Sequence, residues 1–279
     1  MNYLLLFLTI TGSLLAQQKI SGVIFDKTTN KPISFVSIGI VGKQVGTLSD
    51  ENGVFELTLA EDQKKDTLKV YAIGYKPQVF YATDLIKEVN KKISLEALPT
   101  QLAEVVVKSK KIKYKTLGTT KYSKNNCSGF VKNTNNWKGS ESALKINNKD
   151  GRQVLMETFS FYIIQNKYAD SLTFRLMFYE AADTKWQYPS TRPFMKKPII
   201  FKVGQKQGEF VLNIKDYGVY TSKDFYVSLE CLMDEMEITK FCYAGSYDSP
   251  SFVKAAVFSK WTQLRGGGPD FNVKVSYTD

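Results

Sequence analysis

The chain has 279 residues, 43% of them apolar, with a formal net charge of +11 and no histidine. That length and apolar share are enough for two packed cores. The missing histidine excludes Ser-His-Asp and Cys-His nucleophile systems, His-ligated zinc and the usual general base near neutrality, so zinc peptidase chemistry has no ligands here.

Residues 1–16 carry no charged side chain and run through Leu4, Leu5, Leu6, Phe7 and Leu8 to Leu14, Leu15 and Ala16. This pattern predicts a secretory signal peptide cut after Ala16. The stretch is too short and too interrupted by Thr9, Thr11 and Ser13 to cross a membrane, and no later segment qualifies. Gln17 stands where a lipid-anchored precursor would need cysteine, so a soluble, exported mature chain is expected in the periplasm or at the outer membrane and cell surface.

From Gln17 onward the pattern is strand after strand. Ile20 to Phe25, Phe35 to Ile40, Val54 to Leu59 and Leu68 to Ile73 are short and rich in β-branched and aromatic residues. Thr28 to Pro32 and Asp50-Glu51-Asn52-Gly53 read as turns, the latter closed by an Asn-Gly pair that accepts positive φ. Phe55, Leu57 and Leu59 alternate with Glu56 and Thr58, which sends one face inward and one to water.

The order of features in this stretch resembles a known family. Ser21-Gly22-Val23, Asp26, Pro32-Ile33, Phe35-Val36-Ser37-Ile38, Gly46-Thr47, the run Ser49 to Phe55, Gly74-Tyr75 and Leu102 to Val107 together are similar to the carboxypeptidase regulatory-like domain. The resemblance implies a transthyretin-like β-sandwich over residues 17–107, of the kind found at the N-terminus of TonB-dependent transporters and other bacterial envelope proteins, without peptidase activity. A plug and membrane barrel would need far more chain than remains after it, so the transport function is not expected to follow.

Residues 108–127 hold seven lysines and no acid, whereas residues 17–107 balance 11 lysines against 11 acids. A self-repelling basic linker is the expected reading, and Lys108, Lys110, Lys111, Lys113 and Lys115 could touch an anionic surface. With no arginine in the run, a nucleic-acid partner is not expected.

Residues 128–279 alternate again, at Phe159, Phe161 and Ile163, at Leu172 to Phe178, at Phe210 to Ile214, at Phe225 to Leu229 and at Phe271 to Tyr277. A second sandwich follows. It resembles jelly-roll accessory domains that often bind carbohydrate. The predicted fold class is all-β, two sandwich modules joined by a Lys-rich linker.

Candidate chemistry is sparse. Asp234, Glu235 and Glu237, or Asp216 and Asp224, would be the carboxylates of a glycoside hydrolase, but a hairpin tip explains the first group as well. The run Arg265-Gly266-Gly267-Gly268-Pro269 lacks the ending of a phosphate loop. No catalytic residue, cofactor or metal is expected. Trp186 and Tyr188, then Trp137 and Trp261, are candidates for stacking on a sugar, with core packing as the alternative. Cys231 and Cys242 could form a cross-strand disulfide, with reduced, buried cysteines as the alternative reading, and Cys127 has no obvious mate. The functions carried forward are a non-catalytic envelope binding protein for a glycan, a scaffold docking on an envelope protein complex, and a carboxylate-only hydrolase.

Overall fold

The computed structural model describes residues 18–87, 90–99, 111–119, 121–132, 137–182, 187–247 and 250–278. The expected signal segment and its cut after Ala16, Lys108, Lys110 and Trp186 lie outside the described residues.

The described chain is almost wholly β. In the first module a three-stranded sheet places Gln18–Asp26 between Val54–Leu59, antiparallel, and Lys91–Leu95, parallel. A four-stranded sheet runs in the order Gly46–Leu48, Ser37–Ile40, Thr67–Tyr71 and Gln78–Tyr81. Ile20, Ile24, Phe55, Leu57 and Leu59 from the first sheet meet Ile38, Leu68 and Val70 from the second in one buried core. The turn before Val54 forms as its residues dictate. The Asp50 carboxylate accepts the N–H groups of Asn52 and Val54, each at 2.8 Å, and Gly53 takes φ 75°.

The second module faces a seven-stranded sheet against an eight-stranded one. In the first, Leu172–Ala181, Phe225–Cys231, Glu141–Ile146 and Ser251–Lys254 are successive neighbours. In the second, the long strand Val154–Asn166 is central. Between them lies an aromatic core of Phe159, Phe161, Phe174, Phe241, Tyr243 and Phe271.

The basic stretch departs from the linker expectation from Ile112 onward. Ile112–Gly118 pairs in seven antiparallel steps with Asn272–Thr278, and Ser123–Ser128 pairs with Phe241–Ser246. Alternation of Ile112, Tyr114 and Thr116 with Lys113 and Lys115 satisfies an open edge, and lysines on that edge discourage further strands from adding. The cysteine pairing also differs from expectation. Cys127 is bonded to Cys242, with Cα atoms 5.5 Å apart, and Cys231 is free and buried. Cys231 lies on Phe225–Cys231 in the other sheet, out of reach, whereas Cys242 sits beside the strand that carries Cys127.

Candidate binding face and the buried charge row

Arg175, Glu230, Glu141 and Lys254 stand directly opposite one another on four adjacent strands. All four side chains are buried. Arg175 Nε donates to Glu230 at 2.6 Å, and the Lys254 ammonium pairs with Glu141. Glu141 also accepts from the hydroxyls of Tyr179 at 2.8 Å and Ser228 at 2.9 Å. The remaining guanidinium nitrogens cross to the first module, where Nη1 donates to the Phe35 carbonyl at 2.7 Å and Nη2 reaches Ser37 Oγ at 3.4 Å. Phe35 holds φ 53°, a left-handed conformation that a bulky residue adopts only at a cost.

Burial raises the Tyr179 phenol well above its ordinary range, and Glu141 beside it adds to the shift. Burial likewise lifts Glu230 above the usual carboxylate range in spite of Arg175. The cavity over this row measures about 30 Å³ and is lined also by Tyr71, Ile73, Pro193 and Phe258. That is room for about one water, not for a substrate. Two cations and two carboxylates satisfy each other here, so the row clamps the modules together. Apolar contacts flank it, with Phe35 and Leu48 of the first module packed on Leu232 and Val257 of the second.

The aromatic residues singled out in the sequence are spent on packing wherever they are described. Tyr188 lies edge-on to Phe252 at 5.5 Å, and Trp261 edge-on to Tyr179 at 5.7 Å beneath the Lys254 ammonium. Trp137 is half-buried against the large core. The candidate carboxylates do not converge on a cleft. Asp234 pairs with Lys138 at 2.8 Å, Glu237 with Lys240 at 2.7 Å, and Asp224 accepts the N–H of Asn148 at 2.8 Å.

A different set of side chains is gathered on the outer face of the eight-stranded sheet. Burial alternates along Val154–Asn166, so Phe159, Phe161 and Ile163 face the core while Thr158, Ser160 and Tyr162 face out. Thr158 stands opposite Lys274, and Lys274 opposite Thr116, two residues from the exposed Tyr114. Tyr122 stacks on Tyr162 with ring centres 4.9 Å apart, and Lys124 Nζ lies 4.8 Å from the Tyr162 ring centre. Lys274 Nζ lies 5.1 Å from the ring centre of Tyr114. The hydrogen bond that Lys124 donates to Tyr162, with the nearby Tyr122, raises the Lys124 ammonium above its ordinary range. Sequence reading passed over these residues. The signal was there in Lys113-Tyr114-Lys115 and Lys121-Tyr122-Ser123-Lys124, where aromatics interleave with the cations.

Comparison with known proteins bears on the first module. Residues 20–107 match the family model of the CarboxypepD_reg-like domain. The match supports a CarboxypepD_reg-like domain in the first module. No curated protein matches the sequence. Among solved structures, one described as "Structure of infectious bursal disease virus Gx strain" aligns over 94% of this chain and 60% of that chain, at 6% identity and a TM-score of 0.25. A superposition that loose carries no argument about fold or function.

Proposed function

We propose that this protein is a non-catalytic binding protein of the bacterial cell envelope, in which the second, jelly-roll-like sandwich recognises a glycan and the CarboxypepD_reg-like module braces it. The observation that supports this reading most directly is the outer face of the eight-stranded sheet. It presents tyrosines, hydroxyls and lysines to solvent, whereas Arg175, Glu230, Glu141 and Lys254 are consumed by the buried row at the contact between modules. Tyrosine offers an apolar body with a polar tip, and hydroxyls and ammonium groups supply the hydrogen bonds a sugar needs. The test is cosedimentation with purified envelope fragments. Binding that survives protease treatment of the fragments and disappears after periodate oxidation supports glycan recognition.

One observation favours a second reading, docking on an envelope protein. Gln78–Tyr81 is an edge strand of the first module, and it leaves Val79 62% and Tyr81 66% exposed. A partner strand could add there. Cosedimentation abolished by protease and by Val79→Asp with Tyr81→Asp would select it.

A further inference from the structure

We propose that the ligand of the outer sheet face is an anionic polysaccharide, lying on the diagonal from Tyr162 to Tyr114. This rests on the glycan reading above and adds the charge and the length of the ligand. Neutral sugars are held mainly by stacking on open aromatic rings. Here the rings are already engaged, because Tyr122 and Lys124 lie against Tyr162 and Lys274 lies over Tyr114. What the face offers is two ammonium groups, phenolic edges and the hydroxyls of Thr158, Ser160 and Thr116. Cations with hydroxyl donors around them complement a carboxylated or sulfated sugar chain.

The spacing sets the size. Tyr162 and Tyr114 are separated by six residues of strand length and two strand widths, roughly 20 Å on standard spacings. A single sugar cannot reach both, whereas an extended chain can. Charge balance points the same way. Glu209, opposite Tyr162, is an acid brought to this face by the described pairings, against the ammonium groups of Lys124 and Lys274. A face spread over several strands suits a polymer that lies along a sheet better than a small anion.

The experiment is affinity electrophoresis of the full-length protein in gels containing polygalacturonate or its methyl ester, and dextran sulfate or dextran. The expected result is retardation by the charged member of each pair and not by the neutral one. Combined Lys124→Gln and Lys274→Gln should weaken it about tenfold, the scale of two exposed charge contacts. Lys65→Gln, on an exposed lysine of the first module, is expected to leave it unchanged. Equal retardation by the methyl ester overturns the anionic ligand while leaving glycan binding standing. Equal binding to oligothymidylate or to phosphatidylglycerol vesicles overturns polysaccharide specificity. No retardation by any of the polymers, with envelope cosedimentation intact, overturns the inference outright.

Discussion

Arg175 of the second module donates to the backbone carbonyl of Phe35 in the first while its Nε is bonded to Glu230. Removing the guanidinium strands a buried carboxylate and an unsatisfied carbonyl together. Arg175→Met is expected to cost about 3–5 kcal/mol in urea unfolding, and Arg175→Met with Glu230→Met distinctly less. All three tryptophans lie in the second module, so fluorescence reports that module while circular dichroism reports both. A single variant within about 0.5 kcal/mol of the parent would show that the row is not a clamp.

Val257 makes a second contact across the same interface. A Cβ placed on Gly46 would overlap its Cγ2, and one on Gly39 would press against it at 3.0 Å, so the two glycines form the seat for this side chain. Gly46→Ala should destabilise the protein, Val257→Ala should cost about 2 kcal/mol, and the double variant less than their sum. Strict additivity in the double-mutant cycle would place Val257 outside that seat.

Asp26 gives the first module a defined acid response. Its carboxylate accepts the N–H groups of Thr29 at 2.7 Å and Thr28 at 2.8 Å, with Tyr75 Oη 3.1 Å away, and these bonds hold it below the ordinary aspartate value of 3.8. A folded-state value below the unfolded one stabilises above the unfolded pKa, and that contribution fades as pH falls through the folded pKa. Asp26→Asn should therefore lower stability at about pH 6, and the gap to the parent should narrow as pH falls below the ordinary aspartate value of 3.8. A gap that widens on acidification would contradict the sign.

The three cysteines should differ in reactivity. Burial pushes the Cys231 thiol up to about 12, so little thiolate exists at neutral pH. After mild reduction of the native protein, iodoacetamide should label the exposed Cys127 first and leave Cys231 unlabelled until unfolding. Peptide mass spectrometry reads this directly, and early labelling of Cys231 would refute the burial argument.

Much of the strand framework was legible. Val54 to Leu59 was read as a strand and forms over those residues, because its alternation has one answer and its turn is closed by Asp50 and Gly53. Ile112–Gly118 was not legible, since lysine content outweighs a weak alternation when the strand it pairs with lies more than 150 residues later. The charge row was hidden for another reason. Alternation shows that Arg175 points away from Phe174 and Leu176, and a polar outward face ordinarily meets water. Here it meets the first module, and which strands stand side by side is set by tertiary pairing. The proposed binding face shares that difficulty, because Tyr162 and Tyr114 are set on the same sheet face only by two long-range registers.

The bond between Cys127 and Cys242 closes a loop of 115 residues, worth roughly 4–5 kcal/mol in chain entropy. Its location adds a further consequence. It fastens Ser123–Ser128, the strand that carries Lys124 and follows Tyr122, to the rest of the sheet. Half of the tyrosine and lysine surface is thus held in place by an oxidised thiol pair. A chain in a reducing compartment would keep its core but lose the covalent tie that holds Tyr122 and Lys124 against Tyr162.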